Sequence, residues 1–291
     1  ALDAQLAQDT GRAEVIFYYS GHSDEDGLLL GEARLPWGDL RTWMDGLDAK
    51  VRMAVLDSCA SGALIRSKGG VFVAPFLVDE GTNVDGLAYI TSSSRDEVSQ
   101  EADRIGGSYF THYFTTGLRG AADMSGDSRV TLTEAYAFAR EETLRRTERT
   151  RFGPQHANHE FDLSGSGDLV LTDLGSTDAS IVLEADLTGR AALRDSSGSL
   201  VAELFKPEDH AVSLSLSHGD YQLTLTDEGR YAVADIVVQT GVSTPVRMQD
   251  LTWYAGEEAV ARGADVAVIR NAIRATNDEY AAGPSVTTAA S

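Results

Sequence analysis

Two seven-residue runs constrain this chain most: EVIFYYS at positions 14–20 and VRMAVLD at 51–57. Both are apolar and rich in aromatic or β-branched residues, and both break off abruptly into small polar residues. Such runs read as strands buried in a sheet. Between them GLLLGEARL reads as a short hairpin, and PWGDLRTWMDGL opens with Pro36 and carries apolar residues at helical spacing. The alternation continues through LAYITSSS as a third strand and two amphipathic helices, SYFTHYFTTGLRGA and LTEAYAFAREETLRRTE. Thr131 or Thr133 is the expected N-cap of the second helix, and GDLVLTDL is expected as a fourth strand. Strands alternating with helices imply an α/β layer around a mostly parallel sheet.

The texture changes near residue 175. From there to about 252, short segments such as VSLSLS and YQLTLT alternate with period two, and HGD and DEG supply turns. This stretch is expected to form a small all-β sandwich. Residues 253–291 lose the pattern and are expected to be a partly disordered tail.

Composition narrows the function classes. A net charge of −21 argues against nucleic acid, whose phosphates want a basic face. No apolar run approaches the ~20 residues of a membrane helix, and no signal peptide is visible. The single cysteine excludes an internal disulfide and fits a reducing, cytoplasmic compartment. A lone cysteine is ordinarily a small core hydrophobe. This one, in LDSCASG, stands at the end of the second buried strand, while the first ends at YYSGH. In an open parallel sheet neighbouring strands finish on one edge, where ligands bind. His22 and Cys59 would then face each other, and an imidazole beside a thiol can take its proton.

YYSGH followed by DSCASG resembles the caspase-like cysteine peptidases, above all the metacaspase and paracaspase branch and its bacterial relatives. The resemblance runs from about Glu14 to Leu174 and includes LAYITSSSRDEVSQEADRIGGSYFTHYF. It implies a caspase-like peptidase domain over residues 11–174. His22 is then the general base, Cys59 the nucleophile, and the N–H groups of Ser23 and Cys59 the oxyanion hole. The family usually has glycine where Ser23 stands. The five-residue signature of animal caspases is absent, with Ala60 in place of its basic or polar residue, and His22 and Cys59 are closer in sequence than the ~50 residues of caspases. The family's first strand and helix have no counterpart here; residues 1–10 are expected to be a remnant of that helix or a linker.

The same resemblance assigns Asp57 and Glu101 to a pocket selecting Arg or Lys before the scissile bond. Read alone, Asp57 is equally a capping carboxylate at a strand-to-helix turn. Ser92 and Ser93 are candidate cleft residues. DMSGDSRVTLTE resembles an EF-hand loop, with Asp123, Ser125, Asp127 and Glu134 at ligand positions and Ser128 where glycine is wanted; an acidic turn capping a helix explains it as well. His112 is expected as a packed helix residue, and His156 and His159 as loop residues. Arg66 and Lys68, in a long exposed loop after Cys59, are candidate self-processing sites.

The expectation is therefore a cysteine endopeptidase that needs no cofactor, calcium being a weak candidate, with a protein or peptide substrate cut after Arg or Lys. The alternative is a catalytically silent adaptor of the same fold, whose β-sandwich docks a partner.

Overall fold

A computed structural model describes residues 6, 13–59, 61, 64, 84–94, 97, 99–102, 105–227 and 230–255. The protein is a mixed α/β chain that divides into two compact units, each made of two stretches of sequence. Unit 1 holds residues 1–100 and 155–170, and unit 2 the remainder.

In unit 1 a four-stranded sheet runs in the order β1-β4-β5-β9. Its strands are β1 (Glu14–Ser20), β4 (Val51–Asp57), β5 (Asp85–Thr91) and β9 (Asn158–Ser164). The first three are mutually parallel and β9 is antiparallel to β5. The central strand β4 is buried along nearly its whole length, which is why VRMAVLD carries almost no alternation. Edge strand β1 alternates instead, turning Val15, Phe17 and Tyr19 to the core. A hairpin, β2 (Gly27–Leu30) and β3 (Ala33–Pro36), leads into helix α1 (Trp37–Asp45). Helix α1 buries Trp37, Leu40 and Met44 against Leu28, Leu56 and Tyr89. Each such side chain contributes on the order of 1.5–3 kcal/mol of burial. Gly86 stands at φ 139°, where a Cβ would strike the Asp162 carbonyl, so the β5–β9 pairing requires glycine there.

Unit 2 opens with a two-strand ribbon, β6 (Glu101–Ala102) and β7 (Gly107–Ser108), followed by helix α2 (Tyr109–Thr116). Ser108 caps α2 by accepting a 3.1 Å bond from the Thr111 N–H. A π-helical turn, Gly117–Ala121, continues α2. Helix α3 (Leu132–Thr147) follows β8 (Arg129–Thr131) and starts on a capping box of Thr131 and Glu134. Thr131, not Thr133, is thus the N-cap.

The rest of unit 2 is β-structure. One sheet has the order β14-β11-β17, formed by β11 (Ala179–Leu183), β14 (Val212–Ser215) and β17 (Val242–Val246). The other has the order β13-β12-β15-β16-β18, formed by β12 (Gly189–Asp195), β13 (Leu200–Lys206), β15 (Gly219–Asp227), β16 (Arg230–Val238) and β18 (Thr252–Ala255). Ile181 and Leu214 from the first sheet and Leu193, Leu223 and Leu225 from the second belong to one core cluster, which Ala121 and Phe138 join. A charged group is buried in the same unit. Arg190 on β12 bonds Glu203 on β13 (2.9 Å), Glu142 on α3 (3.0 Å) and the Tyr113 hydroxyl on α2 (2.6 Å).

Three expectations are corrected. GDLVLTDL does form a strand, β10 (Val170–Asp173), but it pairs with β8 and not with the large sheet. The large sheet takes its fourth strand from NHEFDLS, so His159 lies in β9 and not in a loop. Half-buried residues dominate that edge strand, which leaves no apolar run to read. Strand β18 runs three residues into the stretch expected to be tail. The remaining tail, the loop with Arg66 and Lys68, and all of residues 1–10 except Leu6 lie outside the described residues. No helix among the described residues is long and apolar enough to cross a membrane.

Candidate functional site

The register of β1 on β4 sets the geometry. Ser20 is the partner of Asp57, so His22 and Cys59 each lie two residues beyond a matched pair on parallel strands. Adjacent strands run ~4.8 Å apart. The ladder continues past the strand ends, because the Gly21 N–H donates to the Asp57 carbonyl at 3.1 Å. The next step is made by side chains. The Ser23 hydroxyl bonds the Cys59 carbonyl and lies 2.9 Å from the Ser58 Oγ. The segment carrying His22 is thereby tied to the segment carrying Cys59. His22 is exposed and Cys59 is half-buried and unoxidised.

Each of the two segments also carries a main-chain donor with no acceptor among the described residues. Ser23 forms an isolated antiparallel bridge with Leu28. The flanking bonds run from Leu29 N–H to the His22 carbonyl (2.9 Å) and from Asp24 N–H to the Gly27 carbonyl (3.1 Å). That pattern leaves the Ser23 N–H without an acceptor among the described residues, as is also the case for the Cys59 N–H. Two unpaired amides at one sheet edge can receive an anionic oxygen.

Small polar groups hold the Cys59 turn from behind. Ser92 and Ser93, at the end of β5, are fully buried and turn their hydroxyls to the Ser58 carbonyl at 3.4 and 3.1 Å. Asp57 is also buried, and its Oδ1 accepts a 2.8 Å bond from the Ser99 hydroxyl. Ser99 lies 3.1 Å from the Ser92 Oγ, and Gln155 clamps the segment by donating to the Ser92 carbonyl (2.7 Å) and accepting from the Gln100 N–H (2.8 Å). A second clamp joins Glu97 to His156. One carboxylate oxygen meets the ring Nδ1 and the other accepts the His156 N–H, both at 2.7 Å.

Sequence reasoning missed several of these parts. Tyr19 does more than pack in the sheet; its hydroxyl reaches the carbonyls of His22 and Leu29, each at 2.7 Å, pinning the backbone beside His22. Burial raises its phenol pKa above the ordinary 10.0. The signal was available, since period-two alternation puts Tyr19 on the core face with Phe17. Ser99, Gln155 and Glu97 carry no sequence pattern that separates them from loop residues.

Glu101 lies on the exposed β6 ribbon of unit 2, whereas Asp57 belongs to unit 1. His112 is half-buried on α2 with its ring edge-on to Tyr113. In the Asp123–Glu134 segment the carboxylates are engaged by the chain itself. Asp123 accepts from the N–H groups of Gly126 (2.8 Å) and Ser128 (3.0 Å), Asp127 from that of Arg129, and Glu134 from those of Ser125 and Thr131. Ser128 takes φ 64°, the left-handed conformation for which glycine would be the usual choice. No group of three or more His, Cys, Asp or Glu side chains suited to a metal ion occurs among the described residues.

No protein-family model matches the chain, and no curated protein matches it.

Proposed function

We propose that the protein is a cysteine endopeptidase whose caspase-like α/β domain is followed by a β-sandwich. The observation that carries this reading is the β1–β4 register, which sets His22 and Cys59 at matched positions beyond two parallel strands. Cys59 loses its proton to His22, and the thiolate sulfur attacks the scissile carbonyl. The resulting oxyanion accepts bonds from the N–H groups of Ser23 and Cys59, the two amides that lack acceptors among the described residues. His22 returns the proton to the leaving amine as the C–N bond breaks, giving an acyl-enzyme. Water, deprotonated by His22, then hydrolyses the thioester and restores the thiol. The chain's own residues suffice for these steps.

A basic residue before the scissile bond is the preference we infer. Asp57, two residues before the nucleophile, is a buried carboxylate beside the turn and would attract a guanidinium or ammonium. The test is covalent labelling of Cys59 with two peptidyl chloromethylketones that differ only in ending in Arg or Asp. Alkylation of Cys59 by the Arg reagent, at least about tenfold faster than by the Asp reagent, is expected. Labelling by neither would favour the silent adaptor, and preference for Asp would refute the pocket.

A further inference from the structure

A groove of about 490 Å³ opens in unit 2, away from His22 and Cys59 in the sequence and independent of the peptidase reading. Arg119, Leu118 and Thr115 reach it from the end of α2 and its π-helical turn. Val201, Leu216 and Tyr221 supply the wall from the β-structure. The π turn presses against β14: Gly120 stands at φ 123°, and a Cβ there would collide with the Ser213 carbonyl. Only glycine brings the root of Arg119 this close to the strand. Single π turns of this kind are frequently found at functional sites.

Arg119 is the unexplained member of this group. Its Nε is buried without a hydrogen-bond partner, and its guanidinium forms no ion pair among the described residues, in a chain with 45 acidic residues and 24 basic ones. Asp195, which acts on the neighbouring Tyr221, spends its carboxylate on the turn after β12, accepting from Ser197 N–H (2.9 Å) and Ser199 N–H (3.0 Å). Asp173, next to Thr172 of the groove, accepts from the Gly175 N–H. Three hydroxyls in the lining, those of Thr172, Ser215 and Ser217, make no hydrogen bond among the described residues. A buried donor left unmatched calls for a reason. A forked cation, idle hydroxyls and an apolar wall in one concavity form the ordinary makeup of a small-ligand site.

We propose that this groove binds a carboxylate carried on a short apolar body. One guanidinium balances one negative charge and bonds both carboxylate oxygens side by side. A phosphate, with up to two charges, would find no second cation in the lining. The apolar part of the ligand would lie on Leu118, Val201 and Leu216. A free organic acid and the C-terminus of a peptide share this chemistry.

Isothermal titration of the full chain tests it with four probes: 4-phenylbutyrate, its primary amide, acetyl-Leu-Leu with a free carboxylate, and inorganic phosphate. Saturable binding of at least one carboxylate, with Kd below about 1 mM, is expected, the amide being at least about tenfold weaker. The tighter of the two carboxylates identifies the source as free acid or peptide terminus. Arg119→Gln should weaken the bound carboxylate at least about tenfold. Should that variant fail to fold, Ser217→Trp, at an exposed position, fills the groove mouth and should abolish binding in a folded chain. Absence of saturation with both carboxylates, equal binding of the amide, stronger binding of phosphate, or full affinity in a folded Arg119→Gln or Ser217→Trp chain would each overturn the proposal.

Discussion

The Cys59 turn and the Arg190 cluster solve the same problem, holding polar atoms in a core, by opposite means. Around Cys59 the buried and half-buried groups are mostly neutral: the hydroxyls of Ser23, Ser92, Ser93 and Ser99 and the amide of Gln155, with Asp57 the single buried carboxylate there among the described residues. Around Arg190 they are ionic, with one guanidinium between two buried carboxylates and a phenol. Neutral hydrogen bonds each contribute about 1 kcal/mol net, and losing one leaves a modest penalty. Buried charges are costly to bring together and costlier to separate. The first arrangement suits a turn whose thiol, in the chemistry proposed above, would change protonation state beside a mostly uncharged frame. The second suits a joint between helices α2 and α3 and the sheet of β12 and β13. Damage to the first should therefore show in chemistry, and damage to the second in stability.

Cys59→Ala gives the largest effect and the sharpest separation. Peptidase activity on an Arg substrate is expected to fall by about a million-fold, the scale of removing a covalent nucleophile. Urea denaturation should move by less than about 1 kcal/mol, since a half-buried thiol leaves only a small gap. Retained activity would remove the proposed chemistry altogether.

Arg190→Met should reverse that profile. Glu142 and Glu203 would remain buried without the guanidinium that both now bond, Glu142 keeping only its 3.8 Å contact with Arg145, a loss of about 3–5 kcal/mol. Burial already raises the Glu142 pKa above its ordinary value, against the pull of Arg190 and Arg145. Without Arg190 the shift grows, and a carboxyl whose folded-state pKa is raised holds its proton where the unfolded chain has lost it. The variant should therefore regain stability relative to wild type as pH falls toward the ordinary Glu value of 4.5. An equal loss at pH 5 and pH 8, followed by urea unfolding, would show that volume and not charge sets the cost.

Ser99→Ala probes the neutral frame at a charged point, Asp57. It removes the 2.8 Å bond to Asp57 and should cost about 1–2 kcal/mol, well below the Arg190 variant. If its denaturation midpoint falls as far as that of Arg190→Met, the contrast between the two regions fails.

How much of this was legible follows from the kind of signal. Strands β1 and β4, helix α1 and the period-two segments of unit 2 were legible because burial writes itself as periodicity. His22 and Cys59 were legible as ends of such runs. Strand β9 was not, because a half-buried edge strand accepts His, Glu and Asp as readily as a loop does. Arg190, Glu142 and Glu203 look in sequence like solvated charges, and only the meeting of α2 and α3 with β12 and β13 brings them together. Ser99 and Gln155 act across 42 and 63 positions of sequence, on Asp57 and Ser92, a separation that no local pattern encodes.

The smallest effect comes from a charge that has carbonyls where Arg190 has carboxylates. Lys206, at the end of β13, is fully buried and donates to the carbonyls of Leu187 (2.9 Å) and Pro207 (2.8 Å). Burial lowers its pKa below 10.5, partly opposed by Asp186, Asp209 and Glu184. Below the lowered value both folded and unfolded chains carry the proton, and the folded state bears the full desolvation cost. Between that value and 10.5 the unfolded chain keeps the proton while the folded chain releases it, so folding stability gains with rising pH across this window. Lys206→Met has no such proton to release. Replacing a buried ion with an apolar side chain of similar length should change stability at pH 7 by only about 1 kcal/mol. The difference between wild type and Lys206→Met, measured by urea denaturation at intervals from pH 7 to pH 10.5, should shift in favour of wild type once pH passes the lowered value. Tyrosine ionisation cancels in that difference, since both chains carry the same tyrosines. A difference independent of pH would mean that the two carbonyls hold the ammonium as well as water does, and the contrast between carboxylate-paired and carbonyl-paired charges in unit 2 would disappear.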